Sequence, residues 1–389
     1  MRFKTLVLSL LLVVGAAGPA AGAVGADEAA PSPGAVDTAT TAASHQGSAS
    51  TCTFPYTATD ATGTEVTIGA DPDRVVTLNP SAAQTMWEIG AREEVVGVST
   101  YASYLEGADT KANVSGGGGP SVEAVLAAKP DLVLVPNSTH GFAPERVAKI
   151  RAQGVPVFVF GQATSLAYVA NKTERIGRLT GNCAAGRERA AEMRRSIDLM
   201  RRVLEGEPRP VGLNVFYGYT SGANTFIGDV METAGLQNGA AAAGITGFKP
   251  INDETVVAMD PAWIVVPEGS PVPENAAYNS TTAVRTGQIV RVNANYLQQP
   301  APRSVRAAET ILERVHPDAY KEYRRLQTSA EATTVATSPP ATSPTAVTSP
   351  TTPPTEGTDA PATSTGTPGF GPAVALFALA ATTLVAIRG

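Results

Sequence analysis

The stretch EAVLAAKPDLVLV at residues 123–135 returns as ETVVAMDPAWIVV at residues 254–266. The two copies align without gaps and share Glu, Val, Ala, Pro and the final Val, with aliphatic residues matched between them. A capping residue, Ser121 or Asn252, precedes each Glu by two places. Each copy therefore predicts a helix N-terminus, a proline at the helix exit and a buried strand. Such a repeat predicts two lobes of similar construction.

Short apolar runs alternate with helical stretches between the two ends of the chain. Residues that are apolar at consecutive positions suit strands covered on both faces, as in parallel sheets with helical crossovers. The sequence Ser81 to Gln84 has the pattern of a capping box, which predicts that the first helix begins there and ends near Gly90. The predicted strands are Val75–Asn79, Val95–Ser99, Leu132–Pro136, Pro156–Phe160, Gly212–Phe216, Ile264–Pro267 and Ile289–Asn293.

One segment interrupts this alternation. From Ala184 to Glu205 the chain has no proline, and an apolar stripe of helical spacing runs along it. A helix of that length covers about 30 Å and suits a bridge between two lobes. The predicted division is an N lobe at 51–160, an inter-lobe helical segment at 161–206 and a C lobe at 207–327. The stripe consists of Met193, Ile197, Met200 and Leu204.

The N-terminus has the parts of a secretory signal. Arg2 and Lys4 precede a short apolar run, and small residues follow it, which predicts a signal peptide at 1–26 and a linker at 27–50. The C-terminus predicts a Thr/Ser/Pro-rich stalk at 328–367 and an uncharged helix long enough to span a bilayer within 368–389.

The order Pro-Gly-Phe, apolar helix and terminal Arg resembles the PGF-type C-terminal sorting signal of archaeal surface proteins. In that family a membrane protease is thought to remove the helix and attach a lipid. The resemblance implies an exported protein that is anchored to the outer face of the cell membrane through its C-terminus.

The only two cysteines, Cys52 and Cys183, favour a disulfide in an oxidising compartment, with two buried free thiols as the alternative. A net charge of −6 gives no reason to expect nucleic acid. Sequons compatible with a glycosylated surface occur at Asn113, Asn137, Asn171 and Asn279.

Several segments, in order, resemble the cobalamin and ferric-siderophore substrate-binding protein family across residues 66–323. The resemblance implies two Rossmann-like lobes with parallel sheets, joined by a single long helix, with the ligand held between them. In that family an acidic residue on each lobe docks to arginines of a dimeric ABC permease, whose ATPase drives uptake. Those positions match Glu123 and Glu254, although a carboxylate there also suits the dipole of a helix N-terminus. The segments are VVTLNPSAAQTMWEIGA, VVGVSTYASY, PSVEAVLAAKPDLVLV, GVPVFVF, TFIGDVMETAGLQN, NDETVVAMDPAWIVV and PAPRSVRAAETI.

Aromatic and polar residues concentrate just after the predicted strands, where open α/β sheets bind ligands. Cobalamin-binding members of the family have a Trp where this chain has Gly116–Gly119, a departure that bears on the choice of ligand. The candidate ligand residues are Tyr101, Tyr104, Asn137, His140, Phe216, Tyr217, Tyr219, Phe248, Tyr296 and Arg303.

Catalytic motifs and a metal-binding cluster are absent from the sequence, which has three histidines, so neither an enzyme nor a resident cofactor is expected. The first hypothesis is a binding protein for cobalamin or a related corrinoid, and a ferric siderophore or haem is the alternative. Two other classes remain open, a surface adhesive module and a doubly wound surface enzyme such as a sugar transferase. An aromatic cleft between the lobes would favour transport, and a sealed cleft would favour adhesion.

Overall fold

The computed structural model describes residues 52–337, with side chains to residue 329. The predicted signal peptide, the linker, the sorting signal and most of the stalk lie outside the described residues. Within 52–337, no helix combines the length and the apolar character that crossing a bilayer requires.

The described residues alternate strands and helices, and each of the seven predicted strands is present with its ends adjusted by one or two residues. The strands are β1 Tyr56–Thr59, β2 Glu65–Ile68, β3 Val75–Thr77, β4 Val95–Val98, β5 Ala112–Asn113, β6 Ser115–Gly116, β7 Gly119–Pro120, β8 Leu132–Val135, β9 Val157–Val159, β10 Val211–Asn214, β11 Tyr219–Ser221, β12 Gln237–Asn238, β13 Phe248–Pro250, β14 Trp263–Pro267 and β15 Ile289–Val292. The helices are α1 Pro80–Glu88, α2 Val122–Ala127, α3 Asn137–Phe142, α4 Pro144–Arg151, α5 Leu166–Leu179, α6 Cys183–Val203, α7 Phe226–Thr233, α8 Gly239–Ala242, α9 Asp253–Met259, α10 Ala276–Ser280, α11 Thr282–Thr286, α12 Ala294–Leu297, α13 Ser304–Val315 and α14 Pro317–Thr337.

Each of the two lobes contains one parallel sheet. The N-lobe sheet has the order β5-β4-β3-β8-β9, and the C-lobe sheet has the order β12-β10-β14-β15. All neighbours within these two sheets pair in parallel. Their central strands are buried on both faces, as the consecutive apolar runs predict. The predicted fold class is therefore confirmed.

The sequence repeat is also a structural repeat. Ser121 caps α2 by accepting the N–H of Ala124 at 3.2 Å, and Asn252 caps α9 by accepting the N–H of Thr255 at 2.8 Å. Each helix is followed by a residue with positive φ directly before the proline, Lys129 in one copy and Asp260 in the other. The strands that follow, β8 and β14, occupy corresponding places beside β3 and β10.

Two predicted helix boundaries change. The cap of α1 is Asn79, which accepts the N–H of Ala82 at 3.1 Å, and Pro80 occupies the first turn. Pro suits that position because its missing N–H has no partner there in any case, so Ser81 lies inside the helix. Helix α14 continues into the predicted stalk up to Thr337, the last residue that the structure describes.

The lobes are joined by an antiparallel pair of helices, α5 and α6. The predicted long helix is confirmed as α6, and its apolar stripe is buried in the C-lobe core. Helix α5 contributes to both cores, with Leu166 and Val169 in the C-lobe cluster and Ile176 in the N-lobe cluster. The bridge between the two cores is therefore formed by both helices.

The two bridging helices approach closely at one point. A Cβ added to Gly177 would come within 2.8 Å of the Cα of Gly186, so neither position has room for a side chain. Beside this crossing, a disulfide joins Cys52 to Cys183 at the start of α6. The bond fastens the chain segment that leads into β1 to the bridge.

Candidate ligand-binding cleft

A cleft of about 830 Å³ opens at the carboxyl edge of the N-lobe sheet. Asn79, Thr100, Asn137 and Gln162 line it, and they follow β3, β4, β8 and β9 respectively. From the C lobe, only the segment 298–300 lines the cleft. The carboxyl edge of a parallel sheet is where this class of fold binds its ligands. A cavity of this size is at the upper end of the range for small-molecule sites.

The cleft lining is mixed and almost uncharged. Amide and hydroxyl side chains lie beside apolar side chains and glycines, and Lys172 is the only charged residue among the described residues that form the lining. The hydroxyl of Ser99 is buried there with no hydrogen-bond partner in the described part of the chain. A buried polar atom without a partner is unusual in a folded protein.

Two exposed aromatic side chains line the cleft. Tyr101 is 75% exposed and Phe142 is 72% exposed. Phe142 lies at the end of α3, directly after β8. Phe142 is not among the predicted ligand residues, although it follows the same strand as Asn137. Exposed aromatic surface of this kind marks a binding site more often than ordinary packing.

The C lobe carries a second aromatic group at the corresponding edge. Phe216 meets Tyr217 edge to face, with ring centroids 4.7 Å apart, and Tyr219 stacks on Phe248 at 5.1 Å. Tyr217 is 70% exposed. These residues follow β10 or lie on the antiparallel pair β11 and β13.

The second aromatic group lies on the sheet edge that faces the cleft. Segment 298–300 comes after β15 and lines the cleft, which places the carboxyl edge of the C-lobe sheet on that side. Strand β10 ends at the same edge because it is parallel to β14 and β15. Two strand spacings, roughly 10 Å, separate β10 from β15. The aromatic side chains of the C lobe therefore flank the cleft without lining it.

The remaining predicted ligand residues lie elsewhere. His140 belongs to α3 but is not part of the cleft lining. Tyr104, Tyr296 and Arg303 take part in contacts within the protein. Tyr104 accepts a hydrogen bond from Gln84, and the Tyr296 ring lies under Arg306. Of the ten predicted residues, the structure brings only Tyr101 and Asn137 together in the cleft itself.

One face of α1 joins the lobes below the cleft. The side-chain amide of Gln84 donates to the Tyr104 hydroxyl at 2.8 Å and to the backbone oxygen of Asn295 at 3.3 Å. Its amide oxygen accepts a hydrogen bond from the backbone N–H of Arg303 at 3.0 Å. One turn further along, Glu88 binds the Arg303 guanidinium at 2.7 Å and that of Arg189 at 2.9 Å. Arg303 therefore holds the lobes together, and its guanidinium is already paired.

The carboxylate of Glu88 is held ionised by its two arginines. Burial alone raises the pKa of Glu88, but the hydrogen bond from Arg303 and the charge of Arg189 outweigh it and lower the pKa below its ordinary value. The lobe junction is therefore an ion-pair network at neutral pH.

The two predicted docking carboxylates are accessible. Glu123 and Glu254 are exposed in the first turns of α2 and α9, the equivalent helices of the two lobes. Shallow depressions flank Glu254, and Val257 beside it is 51% exposed. An exposed apolar side chain beside a carboxylate suits a protein contact.

Two lobes of parallel sheet, a bridge of two packed helices and an open cleft with exposed aromatic rings define a two-lobed solute-binding protein. The chain belongs to the periplasmic binding protein family, whose profile matches residues 75–296. It is 42% identical over 325 residues to the cobalamin-binding protein of Halobacterium salinarum, a match that covers 78% of this chain and 82% of that protein.

Solved structures share the fold. The periplasmic haem-binding protein RhuT of a Roseiflexus species superposes with a TM-score of 0.56 at 26% identity, over 62% of this chain and 98% of that one. The periplasmic vitamin B12 binding protein BtuF of Vibrio cholerae gives a TM-score of 0.53 at 21% identity, over 66% and 99% of the respective chains.

Proposed function

We propose that the chain captures cobalamin or a related corrinoid outside the cell and delivers it to the permease dimer of an ABC importer. The observation that carries this proposal is the character of the cleft, which is nearly uncharged, combines apolar surface with amide and hydroxyl groups, and is bordered by exposed aromatic rings. A corrinoid has a broad apolar macrocycle with amide groups at its edge. The macrocycle can pack against the aromatic rings, and the amide groups can form hydrogen bonds with the polar side chains of the cleft. The 42% identity to a protein named for cobalamin binding supports the same ligand.

An iron chelate such as haem is the second candidate, and one observation favours it. The phenol of Tyr101 is exposed at the cleft, and a tyrosine oxygen is a known axial ligand of haem iron. A multiply charged siderophore is less well matched, because Lys172 is the only cation that lines the described cleft.

The proposal extends to the partner and the anchor. Glu123 and Glu254 would meet the permease, because equivalent carboxylates on two similar lobes suit a partner with two-fold symmetry. The C-terminal segment would hold the protein at the outer face of the membrane. The chelate would be cargo, and the proposed function requires no resident cofactor.

The function is tested by titrating the purified protein with cobalamin, a hydroxamate siderophore and haemin in a calorimeter. We expect cobalamin to bind with micromolar or better affinity and the other two to bind far more weakly. Tight binding of haemin or the siderophore, with none of cobalamin, would contradict the proposal. Docking is tested separately with Glu123→Gln and Glu254→Gln, which should abolish cobalamin uptake by cells and leave binding unchanged.

A further inference from the structure

A lysine is buried where the two lobes and the bridge meet at the cleft. Lys172 belongs to α5 and its residue surface is 7% exposed. Its ammonium donates to the Ser81 hydroxyl at 3.1 Å and to the backbone oxygen of Pro300 at 2.5 Å. An ammonium group has three N–H bonds, so one remains for a further acceptor. Because Lys172 lines the cleft, that acceptor can belong to the ligand.

This ammonium has no counterion within the described part of the chain. Glu88, the acidic residue of α1, binds Arg189 of α6 and Arg303 beyond Pro300 rather than Lys172. On α5 itself, Glu174 pairs with Arg194. A buried charge without an opposite charge is costly, and burial lowers the pKa of Lys172 to about 7.

Other features at the same place also favour a negative ligand group. The N-terminus of α1 opens into the cleft through Asn79, Pro80 and Ser81, and its dipole places partial positive charge there. No acidic side chain is among the described residues of the lining.

We propose that Lys172 binds an anionic oxygen of the ligand on the floor of the cleft and thereby determines which chelates are accepted. This inference rests on the proposed function and deepens it. For a corrinoid the oxygen is that of the phosphodiester, which cobalamin has and cobinamide lacks. For haem it is a carboxylate. A purely structural lysine would account for the bonds to Ser81 and Pro300 but would not distinguish these ligands.

The test compares cyanocobalamin with cyanocobinamide by calorimetry at pH 6 and pH 8. Binding an anion requires protonated Lys172, which is the minor form in the free protein at pH 8, so cyanocobalamin should bind about tenfold more weakly there than at pH 6. Titrations at pH 8 in buffers of different ionisation enthalpy should show uptake of nearly one proton. Cyanocobinamide should show neither effect.

Lys172→Met should weaken cyanocobalamin binding at pH 6 by about tenfold or more and remove its pH dependence, since a charge-assisted hydrogen bond is lost. Cyanocobinamide binding should change by less than about twofold. Lys149→Met, which removes an exposed lysine of α4 outside the lining, is the matched control and should change nothing. If Lys172→Met does not fold, the proton uptake of the unaltered protein still decides.

The outcomes separate this inference from the proposed function. If haemin binds and cobalamin does not, and haemin binding takes up a proton and depends on Lys172, the function is wrong and the role of Lys172 stands. If cobalamin binds with no proton uptake, or if Lys172→Met weakens both corrinoids equally, Lys172 is only structural.

Discussion

The N lobe and the C lobe contain the same helix–proline–strand unit, yet their ligand-facing edges differ. At the N-lobe edge, most of the cleft is formed by the short pair β6 and β7, helix α3 and the start of α1. The C-lobe edge carries the outward pair β11 and β13 with its aromatic side chains, and it lines the cleft only through segment 298–300. In the proposed function, the N lobe would therefore hold the ligand and the C lobe would cover it.

The disulfide lies at the N lobe and the helical bridge, and its removal should have the largest effect on the free energy of unfolding. Cys52–Cys183 links residues that are 131 positions apart and fastens the N lobe to the bridge. Replacing both cysteines by serine should lower the free energy of unfolding by about 4–5 kcal/mol, from the loop-closure entropy that the unfolded chain regains. Denaturant unfolding checks this.

The two tryptophans allow each lobe to be followed separately. Trp87 lies in α1 of the N lobe and Trp263 in β14 of the C lobe, so Trp→Phe at one position leaves a fluorescence reporter for the other lobe. The double cysteine variant should shift the Trp87 transition at least as far as the Trp263 transition. A shift confined to Trp263 would contradict the assignment of the disulfide to the N lobe.

The aromatic side chains should contribute unequally to affinity. Tyr101→Ala with Phe142→Ala removes the rings that line the cleft and should weaken cobalamin binding by about 3 kcal/mol. Tyr217→Ala with Phe248→Ala removes rings that only flank it and should cost about 2 kcal/mol. Val257→Ala, an exposed apolar residue outside the cleft, is the control. Equal losses, or a larger loss for the C-lobe pair, would contradict the proposed roles of the lobes.

Glu88→Gln should have a smaller effect on stability than loss of the disulfide, because it weakens the junction without changing either edge. Its side chain is 14% exposed and binds two arginines, so the loss of stability at pH 7 should be about 1–3 kcal/mol. Glu174→Gln removes an exposed ion pair and should cost less than about 1 kcal/mol.

The pH dependence distinguishes the charge of Glu88 from its packing. Its folded pKa lies below the ordinary value of 4.5, so its stabilisation is complete above that pH and is lost as the pH falls through the folded pKa. The unfolding free energies of the original protein and of Glu88→Gln should therefore converge in acid. A constant difference down to pH 3 would show that the effect is not electrostatic.

The sequence could predict the sheets but not the junction. All seven predicted strands are present because an apolar run buried on both faces is a local signal. The hairpin of β1 and β2 was missed, although its alternating pattern was available in the sequence. Gln84 was assigned to a capping box, and its buried contacts with Asn295 and Arg303 depend on residues more than 200 positions away.

The candidate site shows the same limit. Tyr101 and Asn137 were predicted because they directly follow strands, whereas Lys172 lies within a helix and reads as a solvent-facing residue. Its burial arises only where α1, α5 and segment 298–300 meet. Arg303 follows a strand as ligand residues do, but its contact with Glu88 could not be seen in the sequence.

The most direct test is a crystal structure of the protein with cobalamin bound. We expect a macrocycle seated on the N-lobe edge, in contact with Tyr101, Phe142 and Asn137, and covered by segment 298–300. We also expect a phosphodiester oxygen within hydrogen-bond distance of the Lys172 ammonium. A macrocycle held by Tyr217, Tyr219 and Phe248, with the N-lobe cleft empty, would contradict it.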